Sequence, residues 1–76
     1  MTDRQEKKEK VKVYDEIGVL LQLEIGGKRY LFEKHVLPLS LQRTAVGKTC
    51  KVTLVWEGSK LIGVKDGGRV VRVKSY

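Results

Sequence analysis

Val19-Leu20-Leu21-Gln22-Leu23-Glu24-Ile25-Gly26-Gly27-Lys28-Arg29-Tyr30-Leu31-Phe32 is the stretch whose reading decides the fold. Leu21, Leu23 and Ile25 share the parity of Val19, and Leu20, Gln22 and Glu24 share the other. A period of two marks a strand with one buried face. Gly26-Gly27 then supplies two residues that take positive φ without steric cost, the requirement of a tight hairpin turn. That turn sets a register: Ile25 opposite Lys28, Leu23 opposite Tyr30, Leu21 opposite Phe32. Both aromatic rings then join the apolar face, while Glu24 meets Arg29 on the other face as a favourable cross-strand charge pair. Turn chemistry and burial give the same register.

The same period extends in both directions. Upstream, Val11, Val13 and Ile17 share a parity against Lys12, Tyr14 and Glu16, and Gly18 permits a turn or a bulge. Residues 1–10 hold four basic and three acidic side chains and no aliphatic after Met1. They are expected to form a charged N-terminal arm, or a charged lead-in to the first strand, with the folded domain spanning residues 11–76. Downstream, the alternation breaks after Phe32. Pro38 removes a strand donor, Ser40 can cap a short helix and Gly47 can end it. A helical or 3-10 segment near residues 38–46 is expected, its leucines plugging one end of the core.

From Lys48 to Trp56 the alternation returns, with Cys50, Val52, Leu54 and Trp56 on the inward parity. A three-residue loop Glu57-Gly58-Ser59 brings Ile62 and Val64 inward, opposite Leu54 and Val52. A two-residue loop turns Leu61 and Gly63 inward instead, and burial favours the former, since a one-residue slip reverses every side chain. Gly67-Gly68 makes a further tight turn that sets Asp66 opposite Arg69, Val64 opposite Val71 and Ile62 opposite Val73. The reading is all-β: a small five- to six-stranded antiparallel barrel or half-barrel. In strand order and strand length it resembles OB-like and SH3-like barrels, and no motif ties it to one family.

Length and composition limit the function classes. The 76 residues allow one domain, and 41% hydrophobic content is too high for a disordered chain. A domain of this size buries only about 60% of the surface its unfolded chain exposes, which leaves little room for an enclosed active site. No apolar run nears the roughly 18 residues that cross a bilayer, and MTDRQEKKEK has no apolar h-region, so neither membrane insertion nor secretion is expected. Cys50, the one cysteine, can form neither an internal disulfide nor a cysteine cluster for zinc. A soluble, cytoplasmic domain follows as the expectation. Paired carboxylates, a metal-ligand cluster and a nucleophile beside a base are all missing, so no enzyme, cofactor or small-molecule substrate is expected. The lone His35 reads as a loop-entry residue. Val46-Gly47-Lys48-Thr49 lacks both the preceding glycine and the long helix of a phosphate-binding loop.

The net charge of +7 is unevenly spread. Residues 1–42 carry eight basic and seven acidic side chains; residues 43–76 carry eight basic and two acidic. The registers above turn Thr49, Lys51, Thr53 and Val55, then Leu61, Gly63 and Lys65, then Val70, Arg72, Lys74 and Tyr76 outward. The expected function is therefore a small basic, non-enzymatic binding module. Lys51, Lys65, Arg72 and Lys74 would hold the phosphates of RNA or single-stranded DNA, and Tyr76 would stack on a base. Outward Leu20, Leu31, Val55, Leu61 and Val70 motivate the alternative, a protein-interaction or assembly module, including a homo-oligomer. Against both stands the plain role of strand lysines as guards of sheet edges.

Overall fold

The Gly26-Gly27 hairpin adopts the register that its turn and its apolar face require. In the computed structural model, which describes residues 3–74, Ile25 pairs with Lys28, Leu23 with Tyr30, Leu21 with Phe32 and Glu24 with Arg29. The turn glycines hold φ of 59° and 83°. They join β2 (Leu20–Ile25) to β3 (Lys28–Glu33); β1 (Arg4–Ile17) precedes them, and β4 (Thr49–Glu57), β5 (Lys60–Asp66) and β6 (Arg69–Arg72) follow. The strands form one antiparallel six-stranded sheet in the order β3-β2-β1-β4-β5-β6. It curls into a half-barrel until its edges touch at one bridge, where the Lys74 N–H donates to the Leu31 carbonyl at 2.7 Å.

The inner face is the core. Val11 and Val13 of β1, Leu21, Leu23 and Ile25 of β2, Phe32 of β3, Leu54 of β4 and Val64 of β5 are each 2% exposed or less. Each such side chain contributes about 1.5–3 kcal/mol when fully buried, so this one cluster carries the stability of the chain. Between β3 and β4 runs a 3-10 turn, Lys34–Val36, and one helical turn, α1 (Leu39–Gln42). Leu37, extended just before the helix, and Leu41 within it are both buried and plug the barrel end, whereas Leu39 points out at 62% exposure. Pro38, not Ser40, is the cap of α1, and the helix ends at Gln42, well before Gly47. Gly47 instead stitches the following loop to β1: its N–H donates to the Val13 carbonyl at 2.7 Å, and the Val13 N–H donates to the Lys48 carbonyl at 2.9 Å.

Of the two expectations for residues 1–10, the strand lead-in forms and the separate arm does not: Arg4–Lys10 belong to β1 and pair with β4, from Arg4 opposite Glu57 to Lys10 opposite Lys51. Pairing with an available neighbour overrides the weak strand preference of a Lys/Glu run. Ile17 is not inward. A bulge between Val13 and Asp15 reverses the parity of the rest of β1, leaving Ile17 51% exposed, and Val19 falls in the turn at 58%. The β4–β5 turn has two residues, Gly58-Ser59, since Glu57 pairs with Lys60. A bulge at Ile62 then shifts the register, so Leu61 meets Trp56 and Val64 meets Leu54. Either simple loop would have kept only one of those side chains inside; the bulge keeps both. Leu61 is consequently 5% exposed instead of outward. Val64 opposite Val71 and Asp66 opposite Arg69 form as the sequence implies, and Val71 is buried. No helix among the described residues is long and apolar enough to cross a membrane.

Candidate nucleic-acid interface

Burial of Val11 and Val13 turns Lys8, Lys10 and Lys12 to the opposite, outer face of β1. Burial of Val52 and Leu54 does the same for Thr49, Lys51 and Thr53 of β4. The β1–β4 register then sets Lys8 beside Thr53, Lys10 beside Lys51 and Lys12 beside Thr49. Side chains two apart on a strand lie about 6.7 Å from each other, and directly opposed residues lie about 4.5–5.5 Å apart. Lys8, Lys10 and Lys51 therefore project from a compact triangle of strand positions flanked by Thr49 and Thr53. None of the three has an ion pair among the described residues. Like charges placed directly opposite each other destabilise a sheet, so the Lys10–Lys51 pair works against folding. Lys12 is partly offset by Glu24, which it faces on β2.

The sequence-derived site residues divide. Lys51, Lys65 and Arg72 share the outer face of β4, β5 and β6. Lys65 is partly neutralised, because its Nζ donates to both carboxylate oxygens of Glu6 at 3.0 and 2.9 Å. That contact joins β1 to β5 and so passes over β4. It covers Val55, which lies on the outer parity yet is only 2% exposed, contrary to its expected role in an outward apolar patch. Arg72 is exposed and has no ion pair among the described residues. Lys74 lies apart, at the seam, where its Nζ donates to Glu33 at 3.1 Å. Tyr76 lies outside the described residues.

Lys8, Lys10 and Lys12 are site residues that the sequence reading leaves out: Lys8 and Lys10 fall in the charged run of residues 1–10, and Lys12 counts there only as an outward neighbour of Val11 and Val13. The signal was present: their even parity is continuous with that of the buried Val11 and Val13 on the odd one. Gly63 needs no ligand to explain it. A Cβ there would stand 2.1 Å from the Val71 carbonyl oxygen, so the close approach is made by the β6 backbone. Tyr14, in the β1 bulge, carries the Arg29 guanidinium 4.3 Å from its ring centre, which occupies one face of the ring.

The remaining singled-out residues are structural. Trp56 is half-buried and donates its indole N–H to Glu9 at 2.9 Å. Cys50 is a free, half-buried thiol against the core. His35 is exposed on the 3-10 turn, its carbonyl accepting a bond from the Gln42 side chain. Outward Leu20, Leu31 and Val70 are half-buried, and the aliphatics that stand in solvent are Ile17, Val19, Leu39 and Val46, all at the plugged barrel end. The chain matches no protein-family model, no curated protein and no solved structure, so the chemistry of this lysine face is read from its own geometry.

Proposed function

We propose that the protein is a nucleic-acid-binding module that holds RNA or single-stranded DNA by its phosphates across the outer face of β1 and β4. One observation carries the reading: Lys10 stands directly opposite Lys51, with Lys8 beside them and no carboxylate paired to any of the three. A sheet that keeps an unfavourable like-charge contact is relieved when a polyanion supplies the counter-charge. Lys65 and Arg72 extend the face over β5 and β6, and Thr49 and Thr53 offer hydroxyl donors of the kind that contact phosphate. Contacts made to phosphate and not to base edges carry no sequence information, so the binding is insensitive to base sequence.

The test is a titration of a fluorescent single-stranded oligonucleotide at low and moderate salt. Three to four phosphate contacts at about 0.7 each imply that a fourfold rise in salt weakens binding roughly 20- to 50-fold. The triple substitution Lys8→Ala, Lys10→Ala, Lys51→Ala should flatten the log–log slope by about 2. Absence of binding at low salt, or binding that ignores salt, would end the proposal. A second reading, self-assembly through the plugged end, is favoured by the exposure there of Ile17, Val19, Leu39 and Val46. Light scattering decides it, since a strict monomer at high concentration removes it.

A further inference from the structure

Strand β6 is paired on one side only. The Val73 N–H donates to the Ile62 carbonyl of β5 at 3.1 Å, while the next N–H, of Lys74, donates to Leu31 of β3 at 2.7 Å. Successive residues of an antiparallel strand serve opposite sides, so Arg69 and Val71 bond to β5, and the N–H and C=O of Val70 and Arg72 face away from it. Beyond the Leu31–Lys74 bridge, β3 ends at Glu33 and the chain turns into the 3-10 segment, so among the described residues no strand lies along this part of the β6 edge. An open groove of about 550 Å³ runs there, lined by Glu33, Val36, the β6 strand and the following Val73 and Lys74. Its one carboxylate, Glu33, is engaged by Lys74, and Arg69 is partly offset by Asp66, which it faces on β5, so Arg72 is left as the uncompensated charge among the described residues.

We propose that this edge docks an extended acidic peptide segment of a partner protein as a seventh strand beside β6. The alternating donors and acceptors of Val70 and Arg72 match a peptide main chain at strand spacing. Val70 and Arg72 also share the outer face, so on that face of the peptide an apolar side chain meets Val70 and a carboxylate two residues away meets Arg72. A second copy of β6 fits poorly, because it would gather four guanidinium groups about one axis. A phosphate backbone fits poorly too, since it offers only acceptors to a strand edge that also presents carbonyls. The groove lies apart from the Lys8–Lys10–Lys51 triangle, so the two proposals stand independently and only Arg72 touches both.

The experiment uses the isotopically labelled full chain and the acetylated, amidated hexapeptide Val-Val-Glu-Glu-Val-Val, which sets Val and Glu two residues apart on each face, followed by NMR. The expected result is saturable shifts and slowed amide exchange at Val70 and Arg72. The same peptide N-methylated at alternate residues, which cannot donate, should bind roughly tenfold more weakly or worse, the worth of a lost hydrogen bond. Val70→Pro removes the outward N–H at an edge position that tolerates proline and should weaken binding to a similar degree. The proposal is overturned by any of three outcomes: no shifts at Val70 and Arg72 with millimolar peptide, equal binding of the N-methylated peptide, or shifts confined to the lysines of β1 and β4. Should the proline variant lose its fold, the N-methylated peptide decides alone.

Discussion

Gly63 is the glycine with the least room around it. A methyl group there would lie 2.1 Å from the Val71 carbonyl oxygen and 2.8 Å from its carbon, both main-chain atoms that no side-chain rotation can move. The Gly63→Ala variant should therefore be destabilised by roughly 1–3 kcal/mol, the usual cost of overpacking a filled site. Gly68→Ala is the matched control. Its Cβ would meet nothing within 4 Å and its φ is not positive, so its stability should stay within about 1 kcal/mol of the parent. Urea denaturation midpoints compare the two. If Gly63→Ala proves neutral, β6 does not press on β5 in the manner described. In the sequence Gly63 reads only as a mid-strand glycine, equally consistent with a close ligand. What touches it depends on how tightly β6 folds back.

At the scale of elements, hairpins were legible and bulges were not. The β2–β3 turn holds Gly26 at φ 59° and Gly27 at φ 83°. Gly26→Asn should be tolerated to within about 0.5 kcal/mol, because Asn-Gly is a favoured pair in this turn class and Asn enters the left-handed region readily. Gly26→Val should cost roughly 1–2 kcal/mol, since a β-branched residue clashes there. Thermal melts of both variants check the pair, and equal melting temperatures would refute the turn assignment. Nothing local announces the bulge after Val13 or the one at Ile62. Each serves the closing of the sheet: the first releases Ile17 from the core parity, and the second lets Leu61 and Val64 both face inward. Strict alternation therefore misplaced Ile17 and Leu61, and its three-residue β4–β5 loop compensated for a bulge it could not anticipate.

For the whole molecule, charge opposes compactness. The chain carries +7, and its densest like-charge contact, Lys10 against Lys51, links residues far apart in sequence. Added salt screens that repulsion, so folding stability should rise with ionic strength while oligonucleotide affinity falls. Opposite signs in the two measurements distinguish a polyanion face from an ordinary solvated one. Lys10→Glu sharpens the contrast. It replaces repulsion by attraction and should stabilise the fold by about 0.2–1 kcal/mol, while weakening oligonucleotide binding. A variant that gained stability without losing affinity would place the binding surface elsewhere. The charge asymmetry of the sequence pointed to residues 43–76, yet Lys8 and Lys10 come from the first strand. Composition locates excess charge along the chain, and only the β1–β4 pairing gathers it in space.

The sequence by itself determined the strand class, the two glycine-glycine hairpins and the inward parity of the residues between them. Turn length and alternation act over a few neighbouring residues, and a wrong register there exposes a whole apolar face. Tertiary structure alone decided that Arg4–Lys10 form a strand, because a run of lysine and glutamate extends only when a distant partner, β4, completes its hydrogen bonds. Tertiary structure likewise decided where the two bulges fall, that Val55 is covered, and which lysines share a face. Each depends on closing contacts between segments tens of residues apart, where local preferences are weak and the packing of the finished half-barrel chooses the register.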